Sequence, residues 1–101
     1  MKKVNFAVEV KGLDGESILD ANGDFVKLNK SLANGLVGVK AQDSVGQRLL
    51  AEKIYKAEGE MDIEEAEFAM IEKGIPQIGF TCLLESQLKA IIAEAKKPKK
   101  E

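Results

Sequence analysis

Hydrophobic positions recur with two different periods along the chain, and the period changes near Asn29. Val4, Phe6, Val8 and Val10 alternate with Asn5, Ala7 and Glu9, which predicts a strand with one buried face. Two turn-rich clusters follow, Gly12-Leu13-Asp14-Gly15 and Asp20-Ala21-Asn22-Gly23-Asp24, in which Gly and Asn tolerate positive φ. The short apolar runs beside them, Ser17-Ile18-Leu19 and Phe25-Val26-Lys27-Leu28, are read as the remaining strands, with Asn22-Gly23 as the hairpin turn. A small antiparallel N-terminal sheet is therefore expected from residues near 3–11 and 17–28.

Beyond Leu28 the spacing becomes helical. Asn29 is a good N-cap, and Leu32, Leu36 and Val39 with Ala33 and Val37 form a one-sided stripe, predicting a helix over roughly 30–38. Asp43 or Ser44 is expected to cap a second helix running to about Glu58 and stopped by Gly59. Its apolar residues Val45, Leu49, Leu50, Ile54 and Ala57 cover a wide arc, with Ala51 and Tyr55 on the other side, more than one neighbour covers. Asp62-Ile63-Glu64-Glu65 reads as a capping box opening a third helix that ends at Lys73-Gly74. Pro76 suits the first position of a fourth helix, where Phe80, Leu84, Leu88, Ile91 and Ala95 make a narrow stripe. The expected fold is α+β: one domain over residues 1–95, with a small antiparallel N-terminal sheet or hairpin packed on about four helices. Residues 96–101 are expected to form a basic disordered tail. No repeat is found at periods of about 20 to 50 residues.

Composition narrows the chemistry. With 101 residues, 45% hydrophobic and 32% charged, the chain suits a single globular domain rather than a disordered or membrane-embedded one. It contains no histidine, which removes the commonest general base and the commonest zinc-ligating nitrogen. Its single cysteine, Cys82, allows no intrachain disulfide and no Cys-x-x-Cys site. Cys82 has Ser86 and Lys89 on its side of the helix, but a nucleophile also needs a positioned base and a cleft. The segment Ile54 to Glu65 has Gly and Glu at the spacing of a calcium loop, yet Ile54 and Lys56 stand where oxygen ligands are required. Gly12, Gly15 and Gly23 lack the spacing of a phosphate loop and are read as turn residues. Neither a catalytic residue nor a cofactor or metal site is expected. The N-terminal segment lacks the unbroken apolar run of a signal peptide, and no stretch approaches the roughly 18 apolar residues that span a bilayer.

The net charge of −2 is unevenly distributed. Seven acids and no base lie between Glu58 and Glu72, whereas Lys96, Lys97, Lys99 and Lys100 crowd the C-terminus. Those lysines, with Lys2 and Lys3, are candidates for weak, non-specific phosphate contacts; with Arg48 as the sole arginine and no aromatic residue beside them, base readout is not expected. Ala51 and Tyr55 are the candidate protein interface, with a second copy about a two-fold axis as partner.

The runs Phe25 to Val37, Ala51 to Glu58 and Met61 to Ile71 carry a resemblance. A short β segment with Asp-Gly turns leads to the helix with Leu32-Ala33-Asn34-Gly35-Leu36. A helix ending Tyr55-Lys56-Ala57-Glu58, an acidic start Asp62-Ile63-Glu64-Glu65-Ala66-Glu67-Phe68 and a proline-led last helix follow. From about Val4 to Ala95 the chain resembles a group of small bacteriophage and prophage proteins of unassigned function. The resemblance brings no catalytic residues. It implies a phage-encoded protein of a bacterial cytoplasm or of virion assembly, acting as a non-enzymatic interaction protein. The alternative is a nucleic-acid-associated regulator using the lysine tail.

Overall fold

A computed structural model describes residues 2–96. It contains β1 (Lys2–Val4), α1 (Leu28–Val37), α2 (Ser44–Lys56), β2 (Met61–Ile63), α3 (Glu65–Ile78) and α4 (Cys82–Lys96). The fold is α+β, as the change of period requires: a small antiparallel sheet packed with four helices. The partner of the N-terminal strand, however, is distant in sequence. β1 pairs with β2 in the register Lys2↔Ile63, Lys3↔Asp62 and Val4↔Met61.

Residues 8–28 do not extend that sheet. They form three single antiparallel bridges, Glu9↔Lys27, Lys11↔Ser17 and Leu19↔Phe25. Three backbone bonds close these segments into a ring: Val10 N–H donates to Val26 C=O, Ile18 N–H to Val10 C=O, and Val26 N–H to Ile18 C=O, at 2.8 to 2.9 Å. The three residues are spaced by eight, and so are the turns. Gly12 N–H donates to Glu16 C=O as Asp20 N–H donates to Asp24 C=O, while Gly15 and Gly23 take φ of 82° and 84°. Because each of Val10, Ile18 and Val26 gives its donor to one neighbour and its acceptor to the other, no pair can lengthen into the continuous ladder expected for residues 3–11 and 17–28. Alternation still holds: Val8, Val10, Ile18 and Val26 pack on the core, and Lys11, Leu19, Phe25 and Lys27 are exposed.

α1 and α2 form an antiparallel hairpin fastened at both ends by side chains. Asn29, expected at the N-cap of its own helix, lies inside the first turn of α1 and is buried; Lys27 occupies the cap position without a side-chain bond. The Asn29 Nδ2 group donates instead to the carbonyls of Ile54, Tyr55 and Ala57, at 3.1 to 3.2 Å, at the C-terminus of α2. At the opposite end, buried Gln47 near the start of α2 donates through Nε2 to the Leu36 carbonyl of α1 at 2.8 Å. Each helix thus satisfies carbonyls that the other helix's end leaves orphaned. Asp43 caps α2 as expected, accepting from Gly46 N–H at 2.9 Å, but the helix ends at Lys56, before Gly59.

Two further boundaries move. Ile63 is drawn into β2, so the capping box is built by Glu64 and Glu67 rather than from Asp62. α3 then runs through Gly74 and Pro76 to Gly79, whose φ of 75° ends it, and α4 starts only at Cys82. The stripe Phe68, Ile71, Ile75, Ile78 explains why: its i, i+3, i+4 spacing passes over the proline, and burial of this face outweighs the missing N–H. Gly74 is a contact glycine, where a Cβ would lie 2.8 Å from a Leu36 methyl; Gly35 of α1 faces Ile78 just as closely. On α4 the fully buried positions are Leu88 and Ile92, with Phe80 ahead of it and Leu84, Ile91 and Ala95 at the margin. Gln87 joins α4 to the ring segment, accepting from Lys11 N–H at 3.0 Å and donating to Lys11 C=O at 2.6 Å.

Candidate functional site

The residues singled out for chemistry are dispersed or already engaged. Cys82 is exposed at the start of α4, and the nearby Lys89 pairs with Glu85 at 3.4 Å. Ser86 Oγ donates to the Leu83 carbonyl at 2.9 Å. The calcium-like segment is divided among the end of α2, strand β2 and the start of α3. Among the described residues no group of three or more Cys, Asp or Glu side chains is arranged to hold a metal ion. Among them, too, no helix is long and apolar enough to cross a membrane.

The acidic shoulder does structural work. Glu67 Oε1 accepts from Glu64 N–H at 2.9 Å in the capping box and also pairs with Lys53 at 3.3 Å. Glu72 pairs with Lys96, whose ammonium lies 5.8 Å from the centroid of the Phe68 ring. Of the four tail lysines, Lys96 is therefore part of α4 and folded against α3. Lys97, Lys99 and Lys100 lie outside the described residues.

What the fold does present is apolar surface. Among the described residues, seven large hydrophobic side chains are exposed, from 46% at Tyr55 to 100% at Leu13. They fall on two parts of the molecule. Val37, Val45, Leu49 and Tyr55 belong to the α1–α2 hairpin or its last turn; Leu13, Leu19 and Phe25 belong to the ring segment. Neither α3 nor α4 contributes to this set.

The α1–α2 face centres on a shallow groove of about 160 Å³ between the helices, with Ala33 and Ala51 as its floor and Val37 and Tyr55 on its rim. Of the two expected interface residues, Tyr55 stands at the surface. Ala51 is buried against α1, because the helical hairpin itself covers the side of α2 that the sequence left unpartnered. The Lys30 ammonium lies 5.6 Å from the centroid of the Tyr55 ring, a cation–π distance. Val45 and Leu49 are exposed one turn apart on α2, but at about 100° per residue Leu49 stands about 120° round the helix from Tyr55 and neither lines the groove, which is flanked by the Arg48–Glu52 pair at 2.8 Å. Residues 28–57 carry five bases (Lys30, Lys40, Arg48, Lys53, Lys56) and two acids (Asp43, Glu52), a net of +3.

The ring segment carries the other exposed hydrophobics. Its three bridges occupy equivalent places in the eight-residue repeat. At one, Lys11 Nζ donates to Ser17 Oγ at 2.7 Å, and Ser17 Oγ donates to Glu9 at 2.7 Å. Glu9 and Lys27 form the second, and the third is the purely apolar pair Leu19 and Phe25, each about half exposed. Residues 12–26 contain four acids, Asp14, Glu16, Asp20 and Asp24, all exposed, and no base. Asp14 and Asp20 serve their own turns, accepting from Glu16 N–H and from the N–H groups of Asn22 and Asp24 at 2.8 to 3.1 Å.

Leu19 and Phe25 belong to the short apolar runs expected as strands, and the fold pairs them with both side chains exposed. The signal was present in Val10, Ile18 and Val26 and in Gly15 and Gly23, both sets at a spacing of eight. Compared with family models, curated proteins and solved structures, the chain matches none.

Proposed function

We propose that this chain is a non-enzymatic interaction and assembly protein, working through its surfaces, and that the Tyr55 face of the α1–α2 hairpin binds a second copy. The observation that carries this reading is the pair of exposed large apolar side chains, Val37 and Tyr55, that rim one groove between α1 and α2, while among the described residues α3 and α4 expose no large hydrophobic residue. Scattered exposed hydrophobics need no explanation, whereas grouped ones mark contact surfaces. Tyr55 adds an amphipathic aromatic ring held beside Lys30, the residue type that dominates protein interfaces. The resemblance to small phage and prophage proteins supports a setting in a bacterial cytoplasm or a virion.

Light scattering on the full chain tests the reading. Mass above the 11.0 kDa monomer is expected at hundreds of micromolar, with a shift towards monomer in Tyr55→Glu or Val37→Glu, both on the groove rim. Both sites are about half exposed, so neither change disturbs the core. A strictly monomeric wild-type protein at that concentration would refute the assignment.

A further inference from the structure

The α1–α2 hairpin brings two opposite helix ends together, the start of α1 beside the end of α2. The start of α1 is the positive end of its dipole and has no cap: the Lys27 side chain bonds nothing there and no acid stands in the first turn. Helix geometry also leaves the N–H groups of Asn29 and Lys30 without intrahelical acceptors. The end of α2 is the negative counterpart and is rich in acceptors. The two Nδ2 protons of Asn29 are shared among three carbonyls, and Asn29 Oδ1 accepts no bond although only 2% of the residue is exposed. A buried acceptor without a donor is uncommon in a native fold and marks a place where a donor belongs.

A cleft of about 560 Å³ opens at this junction, with Lys27, Asn29, Lys30, Tyr55, Lys56 and Glu58 in its wall. Its charges are of both signs. Lys27, Lys56 and Glu58 make no ion pair among the described residues, and the Lys30 ammonium lies over the Tyr55 ring. A ligand of one sign would meet half of these groups and be repelled by the rest, whereas one that carries both signs on neighbouring atoms meets all of them.

We propose that this cleft binds a small zwitterion of the α-amino acid class. Its carboxylate lies at the start of α1 between the lysines, where a helix N-terminus favours an anion. Its ammonium turns to the end of α2, donating to Asn29 Oδ1 and facing Glu58. The Tyr55 ring offers a face to the ligand's own side chain. This goes beyond the reading of Tyr55 as a protein contact and does not rest on it: the groove lies over Ala33 and Ala51, whereas the cleft lies at the end of the hairpin.

Amide NMR titration of the full chain, diluted until light scattering finds it monomeric, tests the site with L-phenylalanine as probe. Saturable shifts are expected at the N–H groups of Asn29 and Lys30 and at the Asn29 side-chain amide, with Kd on the order of millimolar. Acetate and methylammonium each carry one of the two charged groups. Each should bind about tenfold more weakly or worse, because joining the groups makes the second contact intramolecular. Lys56→Gln and Glu58→Gln, both at exposed positions, should each weaken phenylalanine binding about two- to fivefold, the effect of one exposed ion pair. Lys73→Gln, on α3 and outside the cleft, should leave it unchanged.

Shifts that stay linear and touch all exposed amides alike overturn the proposal. So does acetate or methylammonium binding as tightly as phenylalanine, which would make this a site for a simple anion or a simple cation. Loss of binding in Lys73→Gln as large as in Lys56→Gln and Glu58→Gln also overturns it. Self-association is read separately: saturable binding to a chain that is monomeric at every concentration keeps the zwitterion site and removes the Tyr55 contact.

Discussion

Two buried polar residues set the geometry of the helical hairpin. Replacing Asn29 by Leu keeps the volume but leaves the carbonyls of Tyr55 and Ala57 without the donor they have here, while Ile54 C=O keeps Ala57 N–H. An unsatisfied buried group costs about 1–3 kcal/mol, so chemical denaturation should show a loss in that range. Asn29→Asp should cost more than Asn29→Leu, because it turns a carboxylate oxygen towards those carbonyl oxygens. If Asp proves the milder change, the three-carbonyl contact is wrongly drawn. Gly35 presents a different constraint. Alanine is the better helix former by about 1 kcal/mol, but its Cβ at this position would lie 2.8 Å from two Ile78 carbons. Overpacking costs about 1–3 kcal/mol, so Gly35→Ala should destabilise on balance. Adding Ile78→Ala should recover part of that loss, the non-additivity expected of touching residues. An additive double mutant would mean that α1 and α3 do not meet at this pair.

At the scale of elements, burial decides where helices stop. α3 accepts Pro76 because Phe68, Ile71 and Ile75 are buried on one continuous face and Ile78 extends it. The carbonyl of Glu72, which loses its i+4 donor to the proline, sits on an exposed residue where water can donate to it. Pro76→Ala restores that bond, so it should raise the unfolding midpoint; a lower midpoint would show that the proline ring itself contributes packing. On α4, Leu88→Ala should cost about 2–5 kcal/mol, the range for emptying a buried leucine site. Leu84→Ala should cost less, because Leu84 lies at the core's edge. Equal losses in urea titrations would contradict this order and restore Leu84 to the centre of the stripe.

For the whole molecule, self-association and stability are linked. A partner that binds only the folded chain raises its unfolding temperature with concentration. Calorimetry should therefore show the wild-type midpoint rising as protein concentration rises. The Tyr55→Glu midpoint should stay flat and coincide with wild type at high dilution, since Tyr55 is about half exposed and outside the buried core. A concentration-dependent rise in Tyr55→Glu would show that this face is not needed for association.

Local pattern alone determined the fold class, the existence of four helices, the turns at Gly15 and Gly23 and the Asp43 cap, because each depends on residues within a few positions of one another. Most of the core was legible in the same way, as Val4, Phe6, Val10, Leu32 and Leu36 show. The tertiary structure decided what depends on partners remote in sequence. β1 pairs with Met61–Ile63 across more than half the chain, and that pairing moves the start of α3 from Asp62 to Glu65. Asn29 is a good cap by type, but which helix end it caps depends on where the C-terminus of α2 comes to rest. Ala51 seemed surplus on an isolated α2 and is buried once α1 lies against it, while Leu19 and Phe25 seemed ordinary strand residues until the eight-residue ring turned them outward. Periodicity reports which face of an element is apolar; only the packed chain reports which apolar faces remain uncovered.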